Sequence, residues 1–471
     1  MIVGSTLFVF IFLPITLLLY YLIPKRFRGA RNGLLLAVSL VFYAFGEPLG
    51  VIILLVSIVA AYLFAGSITL HNRRGHKGAA AKSMIMSVAF QLLIVFGAVI
   101  IPALLDYAGT AKIHTFPFNR LVYPIGITFY SLQIIVFQLD IYNEDARLRK
   151  GFVNYALSVA FFGKILYGPV VEYDSIAKQI QQRKESIVLF GQGITAFIGS
   201  LVLKVVLADR LGDIWKVALA ESEGRMSAVT AWIGGIYSLL YFTAVFTAYT
   251  GMAEGLGLMF GIELPKSFRK PLSSKSVTEF WRRFHITFTD CFRKLVYMPL
   301  GGDGNLTAFV LVALVITCVF AGLSLGVKVG FVIFGVYTAL VIFLEKKVWG
   351  RLLKKLPGFI RRVYTWILTS IGFAIFGSAA SGQSLGYLKA MFGFNRVLAD
   401  SSALYLLQVG ALTAVLVVMC SGRVFDQIRN RLLSKGLFGE IVVAVCYVFL
   451  LIAVAASMVS RTVPDIRFMI L

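Results

Sequence analysis

The residues best suited to chemistry lie in one stretch of the chain, residues 279–302, with the sequence EFWRRFHITFTDCFRKLVYMPLGG. This stretch places His285 among arginines and aromatic side chains in a chain that is otherwise largely apolar. An unperturbed imidazole has a pKa of about 6.5 and accepts a proton at neutral pH. Ionisable groups near a membrane interior are costly and tend to be functional. His285 is therefore a candidate catalytic base, and the alternative is a histidine that only anchors a loop through two hydrogen bonds.

The neighbours of His285 suggest an anion-binding set. Arg282 and Arg283 carry guanidinium groups, which suit bidentate binding of phosphates or carboxylates. With Trp281 and Thr287 they form the predicted residues for binding an anionic substrate, and Thr287 or Thr289 could assist by hydrogen bonding. The alternative is that the arginines pin this segment and contact lipid headgroups. No metal site is predicted, because the four cysteines are scattered without the spacing of metal ligands.

The composition indicates what kind of protein must position these residues. Of the 471 residues, 59% are hydrophobic and only 14% are charged, and the mean hydropathy is +0.86. Because a membrane-spanning helix needs roughly 20 apolar residues, the repeated apolar runs predict an all-α, polytopic membrane protein with a single domain over residues 1–471. The predicted spans are residues 2–23, 32–46, 51–70, 84–105, 121–141, 188–208, 227–249, 306–322, 329–344, 363–379, 403–421 and 439–459.

The net charge of +23 is consistent with a polytopic membrane protein. The basic residues cluster in short loops between apolar runs, which is typical of cytoplasmic loops beside anionic lipid headgroups and not of nucleic-acid binding. With the N-terminus outside, every basic loop falls on the cytoplasmic side. These loops are residues 25–31, 73–82, 147–150, 266–294, 346–362 and 423–435.

Two regions do not look like simple spans. Residues 152–170 contain Lys164 and end in a Gly-Pro turn, and residues 250–262 are rich in glycine. Such broken apolar segments are typical of re-entrant structure, which is tolerated only when it is buried in protein or lines a cavity. We therefore expect a cavity facing the cytoplasm, lined or plugged by residues 263–305. The alternative is an amphipathic helix on the membrane surface.

The motifs of the chain resemble those of the membrane-bound O-acyltransferase (MBOAT) family, in particular the branch that contains alginate O-acetyltransferases and the D-alanyl transfer protein DltB. The long motif matches that branch in FWRRFHITF and in the later YMPLGG. Shorter matches occur in the same order along nearly the whole chain. They are FYAFGEP at residues 42–48, YPIGITF at 123–129, LYGPV at 166–170 and FGIELPKSF at 260–268.

The resemblance implies a ring of about 11–13 transmembrane helices around a central funnel with re-entrant segments. It also implies a multi-pass protein of the bacterial cytoplasmic membrane. The expected activity passes an acyl group, acetyl in this branch, from a cytoplasmic thioester such as acetyl-CoA to a hydroxyl of a cell-envelope polysaccharide. The thioester is a substrate, and no bound cofactor is expected. The expected partners are the lipid bilayer, the acyl donor and an extracytoplasmic acyltransferase, with no nucleic acid.

The chain departs from the family pattern at two places. The family carries its principal catalytic histidine in a Gly-Leu-Trp-His-Gly turn, where this chain reads AGLSLG over residues 321–326. Leu325 stands at the histidine position and Ser324 at the tryptophan position, and a leucine neither accepts nor orients a proton. A second family segment, which carries two carboxylates, reads VFTAYTGMA over residues 245–253 and has lost both.

Three hypotheses follow, and the sequence leaves catalytic competence open. In the first, the protein is an O-acyltransferase in which His285 has taken over as the base. In the second, it is a catalytically impaired relative that acts as a scaffold or conduit in a complex that modifies exopolysaccharide, which the residue at position 325 favours. The third, an ion-coupled transporter using Lys204 and Asp140, is weak because no inverted repeat is visible.

Overall fold

The computed structural model describes residues 3–107, 126–148, 151–220, 226–302, 307–324, 328–421 and 424–460, and all regular secondary structure in these ranges is helical. Nine helices in these ranges are long and apolar enough to span a membrane. Three shorter apolar helices cover Phe8–Leu22, Ile127–Tyr142 and Thr307–Leu323. Together these helices overlap all twelve predicted spans, so the prediction of an all-α polytopic membrane protein is confirmed.

Contacts between Cα atoms divide the chain into two compact units. The first unit comprises Met1–Phe197 and Met252–Pro265, and the second comprises Ile198–Gly251 and Lys266–Leu471. The helices that begin in the first unit are α1 (Leu13–Leu22), α2 (Arg28–Gly46), α3 (Gly50–Arg73), α4 (Lys77–Tyr107), α5 (Ile127–Tyr142), α6 (Phe152–Ala160), α7 (Tyr173–Gln182) and α8 (Ile187–Val202).

The second unit contains most of the remaining helices. They are α9 (Asp209–Ala220), α10 (Ala228–Met259), α11 (Val277–Trp281), α12 (Ile286–Phe292), α13 (Thr307–Leu323), α14 (Val329–Leu344), α15 (Gly350–Lys355), α16 (Gly358–Ala379), α17 (Ser384–Met391), α18 (Ser401–Cys420), α19 (Val424–Leu433) and α20 (Leu437–Ser460). Short π-helical turns occupy Phe8–Phe12, Leu203–Ala208, Arg293–Tyr297 and Glu345–Trp349, and a 3₁₀ turn covers Pro271–Ser273.

Two of the short sequence motifs meet in the first unit. Gly126, from the motif at residues 123–129, has a φ of +82°, and a Cβ atom there would lie 2.7 Å from the carbonyl oxygen of Ile165. Gly168, from the motif at residues 166–170, lies so close to Lys164 that a Cβ atom would come within 2.3 Å of the Lys164 Cα. Both glycines are therefore needed for close backbone contact, and this contact joins the start of α5 to the turn after α6.

Lys164 lies buried in that turn. Its ammonium nitrogen donates a hydrogen bond to the Gln133 side-chain oxygen at 3.0 Å, and the same oxygen accepts the backbone N–H of Val171 at 2.9 Å. Residues 152–170 thus form a short helix followed by a buried turn, as the broken sequence predicts.

The prediction of a broken segment at residues 250–262 is wrong over most of its length. Helix α10 runs without interruption to Met259. Its glycines serve close helix packing instead: a Cβ atom at Gly255 would lie 2.7 Å from the carbonyl oxygen of Gly193. Small residues allow membrane helices to approach in this way, and a glycine-rich apolar sequence does not by itself distinguish such a crossing from a break.

The two charges considered for ion coupling have structural partners. Lys204 and Asp209 form a buried ion pair in the second unit, with the nitrogen and oxygen 2.8 Å apart. In the first unit, the Asp140 carboxylate accepts the backbone N–H of Tyr173 at 2.9 Å, at the first residue of α7. Both groups fix local structure.

Candidate functional site

The motif of residues 279–302 begins on α11, a short helix whose start is fixed by a capping box. The Ser276 hydroxyl accepts the backbone N–H of Glu279 at 3.0 Å, and the Glu279 carboxylate accepts the backbone N–H of Lys275 at 2.8 Å. The Ser276 bond satisfies a donor that the first turn of a helix leaves open, and the Glu279 bond reaches one residue further back than in the standard capping box. These bonds fix the start of α11 and thereby position the motif side chains that follow it.

A buried carboxylate from a distant part of the chain also fixes α11. Glu345 begins the π-helical turn after α14, and its oxygens accept the backbone N–H groups of Val277 and Thr278, both at 2.7 Å. The Thr278 hydroxyl donates to the same carboxylate at 2.6 Å. Negative charge is favourable at a helix N-terminus. Sequence analysis missed Glu345, whose only signal is an acid directly before a strongly basic loop.

His285 occupies the turn between α11 and α12 with an unusual backbone conformation. Its φ of 43° and ψ of 57° lie in the left-handed region, which is uncommon for residues other than glycine although histidine is among those that tolerate it. Its carbonyl oxygen accepts the N–H groups of Phe288 and Thr289, both at 3.0 Å. The next residue, Ile286, donates to the carbonyl oxygen of Ser267 at 2.7 Å. The turn therefore imposes the conformation.

The imidazole ring of His285 is enclosed by aromatic rings. The centroids of Phe246, Phe268 and Phe288 lie 6.3, 5.5 and 5.3 Å from its own, and the residue is 4% exposed. Burial lowers the pKa of His285 to about 4, so the ring is neutral at pH 7. A neutral imidazole has a lone pair to accept a proton. A base is most effective when its pKa is close to the working pH, so substrate or water must enter this site before His285 becomes a strong base.

The two predicted anion-binding arginines have different environments. The Arg283 guanidinium pairs with the Glu279 carboxylate at 2.6 Å and donates to the Ser273 hydroxyl at 3.3 Å. Arg282 is exposed, and its guanidinium has no ion pair or hydrogen bond to any residue that the structure describes. Of the pair, Arg282 is thus the cation available to a ligand.

The other predicted site residues hold the motif in place. The Trp281 ring stacks on Phe373 of α16, with the ring centroids 6.1 Å apart and the planes 15° from parallel. The Thr287 and Ser267 hydroxyls are 3.2 Å apart, and the Thr289 hydroxyl donates to the carbonyl oxygen of Phe284 at 3.2 Å. The Thr287 and Thr289 hydroxyls are thus used in bonds that hold the turn, while Trp281 packs in the aromatic core.

The end of the motif is also built on close contact. The buried Tyr297 donates its hydroxyl hydrogen to the carbonyl oxygen of Gly302, and a Cβ atom at Gly302 would lie 2.4 Å from the tyrosine ring. Lys346 donates to the same hydroxyl at 3.2 Å and lies over the ring at 5.1 Å. The final glycine of the motif is thus required by packing against Tyr297.

Comparison with known proteins identifies the family. The model of the membrane-bound O-acyltransferase family, MBOAT, matches residues 83–381. The chain belongs to the membrane-bound O-acyltransferase family. This MBOAT protein is 31% identical over 412 residues to the probable alginate O-acetylase AlgI of Azotobacter vinelandii, a match covering 84% of this chain and 78% of the relative.

Two further relatives extend the comparison. The probable alginate O-acetylase AlgI of Pseudomonas aeruginosa is 31% identical over 415 residues, covering 84% of this chain and 75% of the relative. The peptidoglycan O-acetyltransferase of Helicobacter pylori is 25% identical over 442 residues, covering 84% and 80%. With the candidate spans, these bacterial relatives identify a multi-pass protein of a bacterial membrane.

The position of the family histidine, Leu325, lies outside the described residues, but the helices on either side of it belong to them. Helix α13 ends at Leu323 and α14 begins at Val329. A Cβ atom at Gly322 would lie 2.6 Å from the carbonyl oxygen of Phe331, and one at Gly335 would lie 2.6 Å from the Val319 Cα. These retained glycines are explained by the close packing of α13 against α14, so their presence is no evidence for catalysis in this MBOAT protein.

The segment that has lost two carboxylates lies on α10. Val245, at the first of these positions, is 4% exposed. Gly251, at the second, packs against Ser200, where a Cβ atom would lie 2.3 Å from the serine hydroxyl oxygen. The space that a side chain would need at residue 251 is taken by Ser200. Phe246 of the same segment contacts the His285 ring, so the aromatic part of the segment still borders the candidate site.

Proposed function

We propose that the protein is an O-acyltransferase of the bacterial envelope that passes an acetyl group from a cytoplasmic thioester, acetyl-CoA in the simplest case, toward a hydroxyl of a cell-envelope polysaccharide. The observation that carries the proposal is the neutral imidazole of His285, held on strained left-handed backbone at the centre of the family motif. Backbone strain of this kind costs about 1–3 kcal/mol and is concentrated at functional sites. The relatives that act on alginate and peptidoglycan support the acceptor class.

In the proposed reaction His285 takes the proton of the acceptor hydroxyl while the hydroxyl oxygen attacks the thioester carbonyl carbon. The C–S bond then breaks, the acetyl group remains on the acceptor oxygen as an ester, and the thiolate leaves with the proton that the imidazolium returns. Entry of these polar groups among the phenylalanine rings would rehydrate the imidazole and raise its pKa toward neutrality.

Arg282 is the proposed contact to the anionic part of the donor, because it is exposed and its guanidinium has no partner within the described chain. Arg283 is already neutralised by Glu279, so its proposed role is to stabilise α11. Trp281 and Thr287 are proposed to keep the donor site in shape through their contacts to Phe373 and Ser267, respectively. An extracytoplasmic acyltransferase is the proposed partner that completes transfer to the polysaccharide.

The experiment is transfer or hydrolysis of radiolabelled acetyl-CoA by the purified protein in proteoliposomes, with polysaccharide as acceptor. A general base contributes about 10²–10⁴-fold to rate, so His285→Ala should lower transfer at least about 100-fold. His285→Asn tests the same loss in a residue that tolerates left-handed backbone, and His76→Ala in an exposed loop is the matched control. Unchanged transfer by folded His285→Asn would remove His285 from the reaction.

A second candidate function is a scaffold or conduit in an exopolysaccharide-modifying complex. Two observations favour it: leucine stands at the family histidine position, and Ser200 fills the space beside Gly251. The discriminating variant is Leu325→His. If the unmodified protein is silent and this variant transfers acetyl groups, the chain is an acyltransferase that has lost one catalytic group. If both are silent, the scaffold hypothesis is favoured over catalysis.

A further inference from the structure

An apolar groove in the second unit is separate from the motif turn that carries His285. It has a volume of about 590 Å³, within the range of roughly 300–1,000 Å³ that is usual for small-molecule sites. One face of α16 forms its long wall, with side chains at positions i, i+3, i+4, i+7, i+8 and i+11. These residues are Phe359, Arg362, Val363, Trp366, Ile367 and Ser370.

Two tryptophans give the groove fixed walls. The Trp366 indole N–H donates to the carbonyl oxygen of Leu272 at 2.9 Å, and the Trp232 indole N–H donates to that of Met391, also at 2.9 Å. Both rings line the groove, and both are held by backbone carbonyls that cannot rotate away. The groove is therefore a preformed apolar surface, whose shape does not depend on free side chains.

The charges of the groove lie at one end. Arg362 lines it near the start of α16, next to the exposed ring of Phe359, which is 75% exposed. Within the described chain no carboxylate or other hydrogen-bonding group pairs with Arg362. The last turn of α15, shortly before α16 in the chain, carries Lys354 and Lys355. A ligand that fits must therefore be apolar along its length and anionic at one end.

The length of the groove matches one leaflet of a bilayer. From Phe359 to Ser370 the helix rises about 16 Å, at 1.5 Å per residue, and the hydrocarbon core of a membrane is about 30 Å thick, so one leaflet is about half of that. The basic end belongs to the segment of residues 346–362, which the charge distribution assigns to the cytoplasmic side. An acyl chain that starts at Arg362 would thus end near the middle of the bilayer.

A polar detail lies along this wall. The Ser370 hydroxyl is buried, lines the groove and has no hydrogen-bond partner among the described residues, and the same holds for the Ser421 hydroxyl oxygen. An unsatisfied buried hydroxyl costs about 1–3 kcal/mol.

We propose that this groove binds one anionic glycerophospholipid from the cytoplasmic leaflet, with its phosphate on Arg362 and an acyl chain along α16 between Trp366 and Trp232. The lipid covers the apolar wall and neutralises the unpaired guanidinium. This site does not depend on the acyltransferase proposal, because none of its lining residues belongs to the turn that carries His285.

The test uses the two wall tryptophans as reporters. Phosphatidylglycerol and phosphatidylcholine with brominated acyl chains are titrated into the purified protein, and quenching of tryptophan fluorescence is measured. Brominated phosphatidylglycerol should quench at about tenfold lower concentration than brominated phosphatidylcholine. Replacing Trp232 and Trp366 together by phenylalanine should remove most of the quenching that occurs at low concentrations of brominated phosphatidylglycerol.

The charge is tested by Arg362→Gln, which should raise the half-quenching concentration of phosphatidylglycerol to the phosphatidylcholine value. Arg351→Gln removes an equally exposed cation from α15 and should leave it unchanged. Equal quenching by the two lipids, or an unchanged curve for Arg362→Gln, would overturn the proposal. Displacement of brominated phosphatidylglycerol by CoA would also overturn it, because the groove would then serve the phosphate of a soluble donor.

Discussion

At the residue scale, His285 has two energetically unfavourable features that a residue with a purely structural role would not require. Its backbone is in a left-handed conformation, and its imidazole is enclosed by three phenylalanine rings that suppress its charged form. The sequence motif identifies the residue, but neither property could be predicted from the sequence. The conformation depends on a hydrogen bond from Ile286 to Ser267, and the enclosure depends on Phe246 and Phe268, which are distant in the chain.

The buried imidazole predicts a specific loss of stability in acid. The pKa of His285 is about 4 in the folded protein and about 6.5 when unfolded, so the unfolded chain binds the extra proton between these values. The contribution of neutral His285 to the free energy of unfolding is complete above pH 6.5, and it falls by about 3 kcal/mol as the pH drops to 4. His285→Asn cannot titrate there, and its melting temperature in detergent should therefore fall less over the same range.

The control for this prediction is His76→Ala, in an exposed loop. The melting temperature of this variant should fall in acid by as much as that of the unmodified protein. If His285→Asn and the unmodified protein lost the same stability between pH 6.5 and 4, the imidazole would be hydrated in the folded state. Its pKa would then be close to neutral even without substrate.

At the element scale, Glu345 shows which part of the site the sequence could not reveal. The apolar run of α14 and the motif on α11 are both visible in the sequence, but their connection is a single carboxylate that accepts three hydrogen bonds from Val277 and Thr278. An acid beside a basic loop is ordinarily a surface residue. The burial of Glu345 follows from the contact between the π-helical turn at Glu345–Trp349 and the start of α11, which only the structure shows.

Removal of this carboxylate should destabilise the motif. In Glu345→Ala the backbone N–H groups of Val277 and Thr278 lose their acceptors, and each unsatisfied buried donor costs about 1–3 kcal/mol. We expect a loss of about 2 kcal/mol or more, seen as a lower melting temperature and as faster proteolysis between residues 266 and 285. Glu440→Ala, an exposed acid in the first turn of α20, is the control and should change both values little. Equal effects of the two variants would contradict the anchoring role.

The packing of α13 against α14 gives a second prediction at this scale. Gly335→Ala would put a methyl group 2.6 Å from the Val319 Cα, and overpacking of this kind costs about 1–3 kcal/mol. Gly66→Ala on α3 meets no atom within 4 Å and gains up to about 1 kcal/mol in helix propensity. The two variants should therefore shift the melting temperature in opposite directions. A stabilised Gly335→Ala would mean that the two helices are further apart.

At the scale of the whole molecule, the apolar runs predicted every candidate span among the described residues, because a helix that crosses the hydrocarbon core must be apolar over roughly 20 residues. Glycines were less informative. Those at 255 and 335 serve helix crossings, Gly126 serves a tight turn and Gly302 packs against the Tyr297 ring, and only the contacts in the structure separate these uses. The same limit applies to the arginine pair, whose members look alike in sequence until Glu279 is seen to neutralise Arg283 but not Arg282.

The charge distribution also predicts how the whole chain is oriented in the membrane. Every strongly basic loop falls on one side when the N-terminus lies outside, and basic loops remain in the cytoplasm. Lys354 on α15 and Phe394 in the loop between α17 and α18 are both exposed, so each can carry a cysteine without disturbing the core. In intact cells a membrane-impermeant maleimide should label Phe394→Cys at once. It should label Lys354→Cys only after permeabilisation, and the unmodified protein measures the background from the four native cysteines. The reverse pattern would place the motif of His285 on the outer side, where a cytoplasmic thioester could not reach it, and would exclude the proposed direction of transfer.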